Sequence, residues 1–98
     1  AMAQEKKVRV MGNVVDFETS EPVMMATVQL LALPDSAFRF GATTDDKGRF
    51  EIDERLNYGN YLVKVSFVGY GDEHRAFTVA DDTRRVRFDT IRLKTGCG

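Results

Sequence analysis

A single cysteine, Cys97, stands among the 98 residues, so no disulfide can form within the chain and the fold has to hold by packing. One thiol does not fix the redox compartment. Tryptophan is absent and His74 is the only histidine. No apolar run approaches the roughly 20 residues of a bilayer-spanning helix, so this segment is not expected to enter a membrane directly. Neither sign of charge dominates: fourteen Lys and Arg face fifteen Asp and Glu, for a formal net charge of -1. That balance supplies no global field for nucleic acid or anionic membrane, and no nucleic-acid partner is expected. Helical spacing of apolar residues is missing throughout, and nothing repeats internally.

What is present is the composition of one folded domain. With 43% hydrophobic and 30% charged residues the chain is ordinary for a globular domain and unlike a disordered one. Its length suits one immunoglobulin-sized sandwich and leaves no room for a second core. A chain this short buries about two-thirds of its unfolded surface, and its stability is expected on the order of 5–10 kcal/mol.

Two-residue alternation runs along nearly the whole chain. Val8, Val10, Gly12 and Val14 alternate with polar neighbours in a first strand, with Gly12 a bulge or a point of close approach. After the polar turn Asp16–Pro22, Ala26, Val28, Leu30 and Ala32 define a second strand whose other face, with Leu31 and Leu33, is unusually apolar. Phe38, Phe40 and Ala42 read as the inward side of a third strand. Thr44-Asp45-Asp46-Lys47-Gly48-Arg49-Phe50 is the clearest hairpin signal, since aspartates start turns and Gly48 supplies positive φ. Phe50 and Ile52 begin the return strand. Tyr61, Val63, Val65 and Phe67 form the fifth, Phe77 and Val79 face inward on the sixth, and Val86 and Phe88 open the seventh. There the apolar parity shifts to Ile91 and Leu93, which predicts a bulge near Asp89-Thr90. Seven short strands separated by turn chemistry predict an all-β, seven-stranded Greek-key sandwich. Residues 1–6 read as an N-terminal tail or a cloning remnant, 7–93 as the domain and 94–98 as a C-terminal tail or the start of a linker. Ala1-Met2-Ala3 also suits the small-residue end of a secretory signal.

The order of motifs resembles a known family. Val10-Met11-Gly12-Asn13-Val14-Val15-Asp16, then Thr19, Glu21-Pro22 and Ala26-Thr27-Val28, are similar to the start of a carboxypeptidase regulatory-like domain. Thr44 to Phe50, Gly59-Asn60-Tyr61 and Val65-Ser66-Phe67-Val68-Gly69-Tyr70 continue the match across residues 8 to 93. The resemblance implies a transthyretin-like sandwich. Its wording is most similar to copies in Bacteroidetes envelope proteins, where such a domain precedes the plug and barrel of a TonB-dependent, SusC-like transporter. It therefore implies a place on the periplasmic face of the outer membrane. It also implies partners among the other domains of the same polypeptide (plug or barrel) or a periplasmic protein.

Catalytic and metal chemistry find little support in the residues. His74 sits among Asp72, Glu73 and Arg75, and no nucleophile motif accompanies it with Ser20, Ser36, Ser66 or Cys97. Hydroxyisourate hydrolases of transthyretin-like fold use several histidines and a terminal Tyr-Arg-Gly-Ser, and this chain has neither. Asp45-Asp46 and Asp81-Asp82 lack the spaced oxygen ligands calcium needs, and zinc lacks its nitrogen and sulfur donors. An isopeptide cross-link of the kind found in Gram-positive adhesins would join Lys7 to a last-strand asparagine, and that strand has none. No catalytic residue, cofactor or metal is therefore expected. Two binding readings stay open. Phe17, Tyr58 and Tyr70 lie in turns, where aromatics can stack a glycan or simply cover the core. Met24, Met25, Leu31 and Leu33 are candidates for packing against another domain. The basic residues Arg84, Arg85, Arg87, Arg92 and Lys94 read as a solvated, protected edge, with docking of an acidic partner as the alternative.

Overall fold

A computed structural model describes residues 5–96 and contains eight strands and no helix among them. They are β1 (Glu5–Asp16), β2 (Thr27–Ala32), β3 (Ala37–Thr43), β4 (Arg49–Asn57), β5 (Gly59–Ser66), β6 (Glu73–Val79), β7 (Arg85–Arg87) and β8 (Ile91–Leu93). Two sheets face each other. One runs β4-β1-β7 with β8 also paired to β1, and the other runs β3-β2-β5-β6. Ala1-Met2-Ala3 and Cys97 lie outside the described residues.

The alternation seen in the sequence decides what is buried. Val8, Val10 and Val14 of β1, Val28 and Leu30 of β2, and Val63 and Val65 of β5 are fully buried between the sheets. Ile91 and Leu93 of β8 close the core at one end. Glu54 has the inward parity of β4 yet is exposed, a charge at a sheet edge that discourages pairing with other chains.

Three departures from the sequence reading have local causes. The strand count is eight, because the seventh splits. Arg85–Ile91 runs beside Arg9–Val14, one residue longer, so β7 and β8 pair with β1 in registers that differ by one. The predicted bulge is instead a break, and it carries the parity shift from Val86 to Ile91. Phe38 points outward and is 59% exposed. A bulge between Leu30 and Leu31 pairs Leu30 with Phe40 but Leu31 with Phe38, so Arg39 is the extra residue and the facing of β3 flips. Residues 94–96 are held rather than free: the Gly71 amide bonds the Lys94 carbonyl at 2.9 Å and the Gly96 amide bonds the Gly69 carbonyl at 2.9 Å. At Gly12 pairing with β4 is continuous, and a Cβ there would lie 3.0 Å from the Phe50 ring. The glycine marks close approach.

The turn at Thr44–Phe50, expected as a hairpin, instead carries the chain from one sheet to the other, because among the described residues β3 pairs only with β2 and β4 only with β1. The turn chemistry is as expected. Asp45 Oδ1 accepts from the Lys47 amide at 2.9 Å and the Arg49 amide at 2.8 Å. Gly48 has φ 75°, and a Cβ there would lie 2.4 Å from the Val14 carbonyl oxygen. Buried Thr44 donates its hydroxyl to the Val23 carbonyl at 2.6 Å and accepts from the Ala26 amide at 2.8 Å. That one side chain fixes the loop leading into β2.

Candidate functional site

β1 spans the length of the sandwich, whose principal extents are 48 × 25 × 17 Å. Glu5 lies at one end with Asn57, and Asp16 at the other with Leu93. The chain thus enters the described domain at one end and, through β8 and residues 94–96, leaves it at the other.

The exit end holds most of the exposed apolar side chains. Phe17 is 48% exposed, Met24 53%, Met25 61% and Val68 90%. All sit in the turns after β1 and after β5. Asp16 organises this end: its Oδ1 accepts from the Glu18 amide at 2.7 Å and the Thr19 amide at 3.0 Å, and its Oδ2 from the Tyr70 hydroxyl at 2.6 Å. The Tyr70 bond, then the Thr19 and Glu18 amides, hold the Asp16 carboxyl below its ordinary 3.8. The same contact raises Tyr70 above 10.0. The Tyr70 ring packs 6.0 Å from Phe67, while the Lys94 ammonium sits 4.8 Å from the Phe17 ring centroid. Asp16, Val23, Met24, Phe67 and Tyr70 line a shallow groove of about 340 Å³ here.

Tyr58 stands at the entry end, in the turn between β4 and β5. Its hydroxyl donates to Asp81 Oδ1 at 2.7 Å, which raises its pKa, and Lys6 Nζ donates to the Asp81 carbonyl. The turn aromatics therefore do not form one stacking platform. Phe17 and Tyr70 share one end, Tyr58 occupies the other, and both tyrosine hydroxyls are bound to aspartates.

Leu31 lies on the outer face of the β3-β2-β5-β6 sheet, and Leu33 follows it just beyond β2. Pairing places Leu31 beside both Phe38 and Leu62, and Leu62 beside Ala76, so an apolar row crosses all four strands. Leu62 and Ala76 were not legible as part of it. Each occupies a single outward position between polar ones, and only the pairing register aligns them.

The basic residues separate into two groups. Arg92 donates to the Ser20 hydroxyl at 3.3 Å and Lys94 covers Phe17, both at the exit end. Arg84 and Arg85 join Lys6, Lys7 and Arg9 on the other half of the molecule, and Arg87 continues their strand beside Met11. His74 is exposed on β6 beside Lys64, and no hydrogen bond joins it to Ser20, Ser36 or Ser66 among the described residues. Asp45 is occupied with turn amides and Asp81 with Tyr58. No cluster of three potential metal ligands occurs among the described residues.

A family model described as carboxypeptidase regulatory-like domain matches residues 9–94. Among solved structures, the chain is similar to the Bacillus anthracis TIE protein, with 20% identity and a TM-score of 0.71, covering 91% of this chain and 17% of that one. It is also similar to the major pilin subunit of Bacillus cereus, at 10% identity and a TM-score of 0.74, covering 93% and 31%. A 3-chlorocatechol 1,2-dioxygenase from Rhodococcus opacus aligns at 13% identity and a TM-score of 0.65, covering 96% and 61%. At such identities these likenesses speak to the fold alone. The chain spans less than two-thirds of each of these proteins. No curated protein matches.

Proposed function

The chain belongs to the carboxypeptidase regulatory-like domain family, and from that premise we propose that it is a non-catalytic docking module of a larger cell-envelope protein. It packs against the domain that follows it in the same polypeptide. The observation that carries this reading is the exit end, where residues 94–96 are bonded to the turn at Gly69–Gly71 beside exposed Phe17, Met24, Met25 and Val68. A following domain is held within reach of that apolar surface by its own tether, so docking loses less entropy than capture of a separate partner. Entry and exit at opposite ends suit a bead threaded between other segments. The solved relatives, in which this fold is a minor part of a longer chain, support the same picture.

The address we propose is the N-terminal extension of a TonB-dependent outer-membrane transporter, on the periplasmic side. It rests on the wording from Val65 to Tyr70. The test is the coding sequence beyond Gly98. A plug-like segment followed by a long series of amphipathic strands supports the address, and a peptidase-like or adhesin-like sequence overturns it.

A further inference from the structure

We propose that the outer edge of β7 takes up an extended acidic segment of a partner polypeptide as an added strand. This surface is separate from the exit end and goes beyond the docking reading above. Parallel pairing sets Arg85 beside Arg9 and Arg87 beside Met11. Like charges side by side across strands destabilise a sheet, and an anionic neighbour reverses the effect. Within this basic group, among the described residues, Arg9 alone is neutralised, by Glu51 at 3.0 Å and Asp53 at 3.7 Å. Lys7, Arg84, Arg85 and Arg87 make no ion pair among the described residues. Lys6, Lys7, Arg9, Arg84 and Arg85, with Asp53 the one acid, line a shallow depression of about 500 Å³. This local excess of cations sits in a chain whose net charge is -1.

The backbone says what kind of anion fits. The Arg9 amide bonds the Arg84 carbonyl at 3.0 Å, and the Phe88 amide bonds the Met11 carbonyl at 3.0 Å. Alternate residues of a parallel strand face the partner, so positions 84, 86 and 88 turn their peptide groups to β1. Arg85 and Arg87 turn theirs outward, on the last strand of the sheet. Outward N–H and C=O groups on an edge are the template for strand addition. The side chains alternate as well. Arg85 and Arg87 are exposed, whereas Val86 and Phe88 are half-buried and the Phe88 ring lies 6.1 Å from Phe77.

A strand alternating acidic and apolar residues matches both sides at once. β4 is such a strand and already occupies the opposite flank of β1, with Phe50 and Ile52 inward and Glu51 and Asp53 at Arg9. A second copy's β7 is disfavoured, since it would bring arginine against arginine. A lipid headgroup or free polyphosphate satisfies the charge but leaves the outward peptide groups and Val86 unmatched.

The test uses the purified chain and a short synthetic peptide alternating Glu and Val, with inorganic polyphosphate and phosphatidylglycerol vesicles as competing anions. The peptide is expected to bind, to weaken as salt rises, and to slow amide exchange at Arg85 and Arg87. Arg85→Glu is expected to weaken binding about tenfold. Arg85→Pro removes one outward N–H where an edge strand tolerates proline, and is expected to weaken it more than Arg85→Ala. If Arg85→Pro fails to fold, exchange at Arg85 and Arg87 in the parent chain decides. No peptide binding, protection elsewhere, or equal binding of polyphosphate or vesicles with equal losses in the alanine and proline variants overturns the proposal.

Discussion

The Tyr70 hydroxyl donates a 2.6 Å hydrogen bond to the Asp16 carboxylate across a separation of 54 residues. It joins the turn after β5 to the end of β1, and so holds together the two segments that carry Phe17 and Val68. Tyr70→Phe keeps the ring against Phe67 and removes only this tie. The variant is expected to lower the thermal midpoint and to speed amide exchange at Glu18 and Thr19, whose N–H groups also bond Asp16. Unchanged exchange there would contradict the role given to the bond.

The same contact sets a pH dependence of both signs. The folded Asp16 carboxyl titrates below 3.8, so its contribution is complete above that value and fades as pH falls through the lowered folded value. Asp45, lowered chiefly by the Arg49 amide, acts in the same direction. Folded Tyr70 titrates above 10.0, so its contribution is complete below that value and is lost as pH rises through the raised one. Denaturation midpoints measured across pH should fall at both extremes. Tyr70→Phe should reduce both falls, and the raised Tyr58 and Tyr61 keep part of the alkaline one.

Gly48→Ala meets two obstacles together: φ 75°, and a Cβ 2.4 Å from the Val14 carbonyl oxygen. The Val14 amide also bonds the Gly48 carbonyl at 2.7 Å. Left-handed backbone strain and a disturbed bond add to an expected loss of about 3 kcal/mol by urea denaturation. Gly69→Ala, at a similar φ of 88° but with nothing within 4 Å of the added Cβ, carries the strain without the clash and should cost less.

Thr44→Val keeps the shape and deletes the hydroxyl that serves the Val23 carbonyl and the Ala26 amide. Two buried backbone groups lose a partner, which is expected to cost about 2–3 kcal/mol. Thr44→Ser retains the hydroxyl and should cost about 1 kcal/mol, the value of a buried methyl. Equal losses would mean that packing, not hydrogen bonding, fixes the loop.

The flip within β3 separates two phenylalanines that plain alternation puts on one side. Phe38 rests its ring over Gly41, whose added Cβ would lie 3.3 Å from it, while Phe40 packs against the core. Phe40→Ala is expected to cost about 2–3 kcal/mol and Phe38→Ala less than about 1 kcal/mol. The reverse order in denaturation experiments would put the bulge in the wrong place.

How far the fold was legible follows from what each feature depends on. The inward stripes of β1 and β5 are local and period two, so Val8 to Val14 and Tyr61 to Val65 could be read directly. The shift from Phe88 to Ile91 was visible as parity. Whether it made a bulge or a break depended on β1, which stays in continuous register with β4 across Glu5–Asn13 and offers one residue fewer to β7 and β8. The Phe38 flip left no mark, because Arg39 is an ordinary strand residue and the bulge exists only in its pairing with β2. The surfaces were harder still. Met24, Met25 and Phe17 could be picked out as apolar residues in turns, but only the fold gathers them beside Val68 and the departing chain. Arg84 to Arg87 read as a charged edge, and only parallel pairing brings Arg9 alongside.

Packing of the exit end against the domain that follows is decided by hydroxyl-radical footprinting of Met24 and Met25 in the full parent polypeptide and in the isolated domain. Both methionines are more than half exposed in the domain alone, as is Phe38 on a different face. Oxidation of Met24 and Met25 should drop in the parent polypeptide while that of Phe38 stays the same. Equal oxidation of the two methionines in both proteins would contradict that packing.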